Sequence, residues 1–330
     1  MATVRFEMKN MNDQRSNQLA SVPQLAISGA TDVFLILGDP VEQVRAPEAF
    51  NLIFATLGID AVLVPVHVAA TDVKAFVKAA VYGCNIKGML LTIPHKSQVM
   101  DLLDDCGELG RLAGAVNAVR LDERGRLVGD LFDGEGLVNS LNSFNITYTG
   151  NRVLMLGAGG ASAAIAASLV SSASRASRGA PREVALYDPT PGKALELASR
   201  VNGAGTCRVY AIDSNDPAGF DVVVNATPLG LKLSDAMPCD VARMDPGTAF
   251  VDILMKNQPT PAVRAARSRG LVAHPGFEMM IQQAHLYLEF FGLSHAAQQV
   301  QRDAGLIRQH IYPVEMAQDL QFFLQPAPSL

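Results

Sequence analysis

Cysteine is scarce in this sequence and shows no paired spacing. The four cysteines stand at positions 84, 106, 207 and 239. This scatter excludes a disulfide framework and a cysteine zinc site, and it favours a reducing cytoplasmic location. The six histidines form no pair with metal-ligand spacing, so we expect no metal.

Long hydrophobic runs and an excess of basic charge are also lacking. No apolar stretch is long enough to cross a bilayer, and the first residues show no signal-peptide pattern. Acidic residues outnumber basic ones by 32 to 27, which leaves no basic surface for nucleic acid. We therefore expect neither a membrane nor a nucleic acid among the partners.

The chain is long enough for two domains, because 49% of its 330 residues are hydrophobic and can fill two cores. Residues 1–30 are polar and predict an extension, and residues 325–330 predict a frayed tail. Between them, strand and helix signals alternate, which predicts an α/β fold with mostly parallel sheets. The predicted strands lie at 33–37, 61–66 and 86–91, in a hairpin of 116–121 with 126–131, and at 153–156, 184–187, 209–211, 221–225, 249–252 and 272–274.

The most informative segment is the glycine-rich run after the first strand of the second series. Gly157 permits a tight turn, Gly159 removes a side chain that would block a pyrophosphate, and Gly160 lets strand and helix pack closely. Ala158 and Ala161 complete the segment. Because it lies between a predicted strand and a predicted helix, it predicts a dinucleotide-binding turn. The alternative is an ordinary turn of an α/β protein.

The next predicted strand ends in Asp188, whose carboxylate can accept hydrogen bonds from both hydroxyls of an adenosine ribose. The same charge repels a 2′-phosphate, and no arginine stands beside Asp188 to bind one. We therefore predict NAD as the cofactor in preference to NADP. The alternative is a solvated turn residue that starts the following helix.

Six separated segments resemble motifs of the shikimate/quinate dehydrogenase family, in the family's order. They are 92–96 (TIPHK), 114–118 (GAVNA), 133–136 (DGEG), 157–161 (GAGGA), 225–230 (NATPLG) and the helix that carries Gln283 after Gly276. The resemblance implies an N-terminal α/β substrate domain and a C-terminal Rossmann-type dinucleotide-binding domain, with the active site between them. On this chain we expect the substrate domain at 31–134, completed by helices at about 276–311, and the NAD-binding domain at 135–275.

Two residues of these motifs, Lys96 and Asp133, carry the chemistry that the resemblance implies. Oxidation of a secondary alcohol moves a hydride to the nicotinamide and leaves a proton for another group. A lysine beside a carboxylate can move that proton and hold the hydroxyl in place. The alternatives are a solvated lysine in the first turn of a helix, and an N-cap role for the aspartate.

The resemblance also implies contacts to the ligands themselves. Thr92, Asn117 and Gln283 are expected to bind substrate hydroxyls, although an amide at a strand end can instead bond to the backbone. The cofactor contacts are expected at the glycine-rich segment, at Asp188, and at Asn225, Thr227 and Gly276. A plain exit from strand to loop is the alternative for the segment that begins at Asn225.

The chain departs from the family where the family binds the shikimate carboxylate and ring. The two serines of the family's S-x-S-P segment align with Val44 and Ala46, and other polar family positions align with Leu90, with residues 131–132 and with Met255. Unmet buried donors and acceptors are unfavourable, so such exchanges alter the substrate. Arg45 is a candidate to bind a carboxylate in place of the serines, or else it is a surface arginine at a helix start.

These observations predict an NAD-dependent dehydrogenase that oxidises a secondary alcohol of a different or bulkier cyclic hydroxy acid. Two alternatives remain. One is a quinate or shikimate dehydrogenase proper that uses NAD, and the other is a non-catalytic NAD-binding regulatory protein. The sequence does not decide between a monomer and a homodimer.

Overall fold

The structure is a computed structural model that describes residues 26–174, 176, 178–203, 207–232 and 234–324. Most of the predicted extension and the predicted tail at 325–330 lie outside the described residues. Within them, no helix is long and apolar enough to cross a membrane.

Two six-stranded sheets form the framework. The strands of the first are β1 (Asp32–Gly38), β2 (Ala61–His67), β3 (Ile86–Leu91), β4 (Asp105–Cys106), β5 (Ala118–Leu121) and β6 (Leu127–Asp130). Those of the second are β7 (Arg152–Leu156), β8 (Glu183–Tyr187), β9 (Arg208–Ala211), β10 (Val222–Asn225), β11 (Ala249–Asp252) and β12 (Ala273–His274).

Helices cover both sheets. They are α1 (Ala46–Leu57), α2 (Val73–Ala80), α3 (Glu108–Ala113), α4 (Asp133–Ser143), α5 (Gly160–Val170), α6 (Lys193–Asn202), α7 (Pro261–Ser268), α8 (Phe277–Phe290), α9 (Ser294–Arg302), α10 (Gly305–Ile311) and α11 (Ala317–Leu324), with short 3₁₀ turns at Met100–Leu102, Val241–Arg243 and Val314–Met316.

The first sheet is mixed, with the order β2-β1-β3-β5-β6-β4. Strands β1, β2 and β3 pair in parallel, and β5 pairs antiparallel with β3 and with β6, as a hairpin requires. One face of this sheet buries Phe34 and Ile36 against Phe277, Ile281 and the rest of the inner face of α8. Helix α8 follows the second sheet in the chain, so it links the two halves of the molecule.

The second sheet is wholly parallel, with the order β12-β11-β10-β7-β8-β9. Strands such as Val222–Asn225 are buried along their whole length because helices cover both faces. The strand order reverses between β7 and β10: the chain adds β8 and β9 on one side of β7 and then returns to add β10, β11 and β12 on the other side. Ligands bind at such a switch point, outside the carboxyl ends of the strands. This doubly wound sheet confirms the predicted Rossmann-type half of an α/β fold.

The structure departs from the sequence pattern at three places. Residues 98–103 have a pattern that predicts a helix, but only the 3₁₀ turn Met100–Leu102 forms there, and nothing in the sequence predicted the two-residue strand β4. The helix expected to run on to residue 311 is interrupted at Asp303, whose backbone is extended and whose carboxylate accepts the Gly305 N–H at 2.7 Å. The predicted domain limits 31–134 and 135–275 stay a prediction.

Candidate active site

A cavity of about 270 Å³ lies between the two sheets. The first half of the chain contributes most of its walls, and the second half contributes residues after β11 and at the start of α5. Seven of the predicted site residues line it: Arg45, Thr92, Lys96, Asp133, Ala161, Gly276 and Gln283.

Lys96 and Asp133 meet at one end of this cavity, where the lysine Nζ donates a hydrogen bond to Asp133 Oδ2. The side chains are 19% and 10% exposed, so the pair is largely shielded from water. The Lys96 carbonyl accepts the Val116 N–H at 2.9 Å, which fixes the turn after β3 against the segment before β5. Asp133 is the first residue of α4, where the helix dipole favours a carboxylate, and Phe132 rather than Asp133 is the N-cap.

Two glycines hold α4 in position beneath Asp133. A Cβ on Gly134 would lie 1.9 Å from the Ala164 carbonyl oxygen of α5, and a Cβ on Gly136 would lie 2.5 Å from the Met279 carbonyl oxygen of α8. Only glycine permits backbones to approach this closely. The helix that presents the carboxylate is therefore clamped between a helix of the second half and the helix that links the halves.

The predicted hydroxyl ligands occupy different positions. Thr92 and Gln283 line the cavity. Asn117 does not: it is fully buried, its Oδ1 accepts the Phe132 N–H at 3.0 Å, and its Nδ2 lies 3.5 Å from Gln283 Oε1. Asn117 therefore orients Gln283 and the start of α4 from behind the cavity wall.

Arg45 lines the cavity just before α1. Its Nε donates to Glu48 Oε2 at 2.9 Å, and its Nη2 donates to the Ile311 carbonyl at 3.2 Å. These bonds hold the guanidinium in place and engage two of its three nitrogens. The third nitrogen, Nη1, has no partner among the described residues.

Several lining positions of the cavity carry apolar side chains. Val44, Ala46, Leu90 and Met255, four of the positions at which the chain departs from the family pattern, all line it. Leu131 and Phe132, the other departures, are buried behind it. The exchanges are therefore concentrated around one cavity, which loses hydrogen-bonding capacity while its Lys96–Asp133 end keeps it.

The glycine-rich segment lies at the carboxyl end of β7, at the switch point. Gly157 has a φ of +99°, and a Cβ there would lie 2.9 Å from the Ala226 carbonyl oxygen, so the turn requires glycine. Gly159 and Gly160 are exposed, and a Cβ at either would meet nothing within 4 Å. The expectation that Gly160 serves close packing is therefore wrong, because this residue faces open space at the N-terminus of α5.

Open glycines before a helix N-terminus, at the switch point of a parallel sheet, fit the pyrophosphate of a dinucleotide. Ala158 is half-buried in this turn, and its N–H is directed at Asp188. Ala161, one residue into α5, lines the cavity and so connects the turn with the Lys96–Asp133 end.

Asp188 is fastened to this turn. Its Oδ2 accepts the Ala158 N–H at 2.9 Å, and its Oδ1 accepts the Thr190 N–H at 2.8 Å. Burial acts to raise the pKa of Asp188, but these backbone hydrogen bonds and the charge of Lys193 outweigh it and hold the pKa below its usual value. Asp188 is therefore an ionised carboxylate whose two oxygens already organise the backbone.

Asn225 has a supporting position at the end of β10. It is fully buried, its Oδ1 accepts both the N–H and the Oγ1 hydroxyl of Thr227, and its Nδ2 donates to Leu229 and Asp252. Thr260 also donates to Asp252, at 2.7 Å. Burial outweighs these bonds and raises the pKa of Asp252 to about 6. This network shapes the loop at Thr227 beside the switch point.

Sequence reasoning missed Tyr287, which lines the cavity from α8. The signal was present, since Met279, Gln283 and Tyr287 are spaced four residues apart and share one helix face. A cavity-lining Gln283 thus implies a cavity-lining Tyr287 one turn later.

A cavity between a mixed sheet and a doubly wound parallel sheet with a glycine turn at its switch point defines a two-domain dehydrogenase of the dinucleotide-dependent class. Residues 36–119 match the model of the shikimate dehydrogenase substrate binding domain. The chain is also 36% identical over 267 residues to the shikimate dehydrogenase (NADP(+)) of Rubrobacter xylanophilus, which spans 80% of this chain and 90% of that protein. The chain therefore belongs to the shikimate/quinate dehydrogenase family.

Two further comparisons are informative. The shikimate dehydrogenase (NADP(+)) of Citrifermentans bemidjiense is 34% identical over 266 residues, covering 78% of this chain and 89% of that protein. The crystal structure of ligand-free 5-ketofructose reductase from a Gluconobacter species superposes with a TM-score of 0.71 at 26% identity, covering 83% of this chain and 99% of that one. The same fold therefore occurs in a reductase named for a substrate other than shikimate.

The prediction of NAD is wrong, because the curated relatives are named as NADP(+) enzymes. The argument treated the Asp188 carboxylate as free to select ribose hydroxyls, whereas both of its oxygens bind backbone N–H groups. It also looked only for an arginine and overlooked Lys193, the first residue of α6, whose positive charge acts on Asp188.

Proposed function

We propose that this protein catalyses the reversible, NADP-dependent oxidation of a secondary alcohol on a cyclic hydroxy acid other than shikimate. The observation that carries the proposal is the hydrogen bond between Lys96 and Asp133 in a cavity that apolar side chains line where the family pattern has polar ones. Membership of a dehydrogenase family supplies the reaction type, and the altered walls supply the difference in substrate.

The cofactor would lie along the carboxyl end of the second sheet. The open backbone at Gly159 and Gly160 and the N-terminus of α5 fit its pyrophosphate. Lys193 offers a cation for the 2′-phosphate. When bound, the nicotinamide supplies the hydride acceptor, or the donor in the reverse direction.

Lys96 and Asp133 act on the alcohol oxygen. The ammonium group donates a hydrogen bond to this oxygen and favours the charge that develops there as the C–H bond breaks. The carboxylate holds the ammonium in place and accepts the proton that leaves the hydroxyl. Gln283, oriented by Asn117, and Thr92 position the ring so that the reacting carbon faces the second sheet.

Arg45 is the proposed partner of the substrate carboxylate at the mouth of the cavity. Its bonds to Glu48 and to the Ile311 carbonyl hold the guanidinium still, so little side-chain freedom is lost on binding. Its Nη1 is the group available for a carboxylate oxygen.

The test is the reduction of NADP⁺, followed by absorbance, with a panel of cyclic hydroxy acids that includes shikimate and quinate. We expect turnover with at least one acid, and a loss of about 10²- to 10⁴-fold in kcat for Lys96→Ala. Lys74→Ala is the matched control, since Lys74 on α2 pairs with Asp101 at the protein surface, away from the cavity. NADP⁺ binding without turnover of any acid would contradict the proposal and favour a regulatory protein.

A further inference from the structure

Tyr287 has a position in the cavity that the proposed reaction does not use. The residue is 7% exposed and lines the cavity one turn of α8 beyond Gln283. Its hydroxyl has no hydrogen-bond partner among the described residues, and the hydroxyl oxygen is not completely shielded from solvent. The hydroxyl therefore opens on the cavity.

Aromatic neighbours fix the orientation of the ring. The centroids of Phe132 and Phe50 lie 5.1 Å and 5.8 Å from that of Tyr287, both edge-on, and Phe291 stacks on it at 6.3 Å. A ring held on three sides presents its hydroxyl in one place, so little freedom is lost when the hydroxyl binds a ligand.

The hydroxyl is also a permanent donor. Burial, and secondarily the negative charge of Asp133, holds the pKa of Tyr287 well above its usual range. The group therefore stays protonated at neutral pH, and it offers its O–H to an acceptor.

The side chains around the Tyr287 hydroxyl limit the kind of ligand that can carry the hydrogen-bond acceptor. Phe50 stands one turn after Ala46 on α1, and both line the cavity, as do Leu90 and Met255. None of these four side chains offers a strong donor or acceptor. A ring hydroxyl placed against them would lose its water without gaining a partner.

We propose that Tyr287 is a specificity-determining residue that donates a hydrogen bond to the substrate carboxylate, so that the cavity selects ring acids that carry few ring hydroxyls. A carboxylate only accepts hydrogen bonds, which suits a fixed donor in apolar surroundings, where such a bond is strengthened. Tyr287 and the Arg45 Nη1 would then share its oxygens. The inference rests on the proposed function and names its class of substrate.

The experiment is equilibrium binding by calorimetry of two probes to the full chain with NADP⁺ present. The probes are shikimate, which carries three ring hydroxyls, and a cyclohex-1-enecarboxylate with a single ring hydroxyl, which keeps the alcohol that Lys96 and Asp133 bind. We expect the second probe to bind wild type more tightly than shikimate, by about tenfold for each hydroxyl left without a partner. Equal or tighter binding of shikimate, or no binding of the monohydroxy acid, overturns the inference.

The variant Tyr287→Phe removes only the hydroxyl. We expect it to weaken binding of the monohydroxy acid about tenfold, and to raise KM for any acid that is turned over while kcat is kept. Tyr312→Phe is the matched control, because Tyr312 is another buried tyrosine that lies outside the cavity. An unchanged dissociation constant in Tyr287→Phe overturns the inference.

Failure of the inference and failure of the proposed function give different results. The binding measurement needs no turnover, so it decides the role of Tyr287 even if no acid of the panel is oxidised. Conversely, turnover that depends on Lys96 and is indifferent to Tyr287→Phe would leave the proposed reaction standing and remove this substrate class.

Discussion

The two ends of the cavity differ in how their side chains are held and in what they offer a substrate. At one end, Lys96 and Asp133 form an ion pair on a helix that Gly134 and Gly136 clamp between two others. At the other, Val44, Leu90 and Met255 offer a ring no strong hydrogen-bonding group. The difference shows that the reacting groups and the groups that recognise the substrate can change independently within one fold.

The largest effect should follow from Asp133→Asn, which tests the reacting end. An amide cannot accept the shared proton and weakens the hold on the Lys96 ammonium, so kcat should fall about 10²- to 10⁴-fold. Steady-state kinetics with the best acid of the panel measures it. Asp101→Asn breaks a surface ion pair with Lys74 and is the control. A kcat of Asp133→Asn within a few-fold of the wild-type value would show that Asp133 does not take part in the reaction.

The clamp beneath Asp133 is tested by Gly134→Ala. The added methyl group would overlap the Ala164 carbonyl oxygen, and such overpacking destabilises by about 1–3 kcal/mol or more. Thermal or urea unfolding measures the loss. Gly160→Ala is the matched glycine, since its Cβ would meet nothing within 4 Å, and it should unfold like wild type while binding NADP⁺ more weakly. Equal stability of wild type and Gly134→Ala would show that the helix is not clamped.

Asp252 is a buried carboxylate at the end of β11, just before the segment that carries Met255. The pKa of Asp252 is raised from 3.8 to about 6, so the folded state binds more protons than the unfolded state between these values. Its contribution to stability is therefore fully present below pH 4 and is lost as pH rises through 6, by up to about 3 kcal/mol.

Asp252→Asn should remove that dependence, and the test is the difference in unfolding free energy between wild type and variant from pH 4 to pH 7. The variant should gain on wild type as pH rises, whatever its absolute stability. Parallel pH profiles for the two proteins would show that Asp252 titrates normally.

The apolar side of the cavity can be tested by giving it a hydrogen-bonding group. Leu90→Asn places an amide where a ring hydroxyl would otherwise lack a partner, so kcat/KM for shikimate should rise about tenfold relative to that for an acid with a single ring hydroxyl. Met280→Gln is the comparison variant, because Met280 also lines the cavity, on α8. Leu52→Asn would not serve, because Leu52 lies in the core rather than in the cavity. No change in relative kcat/KM would mean that Leu90 does not face the ring.

The smallest effect is expected at the cofactor. Lys193→Ala should raise KM for NADP⁺ about five- to tenfold, the loss of one charge-assisted bond, and leave KM for the acid unchanged. Lys87→Ala, a surface lysine near Asp32, is the control. An unchanged KM for NADP⁺ would show that Lys193 does not reach the 2′-phosphate.

Much of the fold followed from the sequence because the strands are continuous apolar runs. Strands β3 and β11 have the predicted bounds, and β7 and β8 begin one residue earlier than predicted. A two-residue strand such as β4 is too short to show an apolar or alternating sequence pattern. The break at Asp303 was missed because an aspartate within a helical stretch does not reveal that its carboxylate will accept a nearby N–H.

The candidate site was only partly predictable. The motif residues Lys96 and Asp133 were named together from the resemblance. Tyr287 was not, although its spacing of four residues from Gln283 places it on the same face of α8. The inward orientation of Asn117 and the open position of Gly160 depend on tertiary packing, which a residue type alone does not encode.

The most direct test of the two-ended cavity is a crystal structure of the ternary complex with NADP⁺ and an acid that the enzyme turns over. We expect the reacting oxygen within about 3 Å of Lys96 Nζ or the Asp133 carboxylate, with the ring against Leu90 and Met255. A substrate whose reacting oxygen lies away from both charged groups, or whose hydroxyls find partners along the walls described as apolar, would contradict the account.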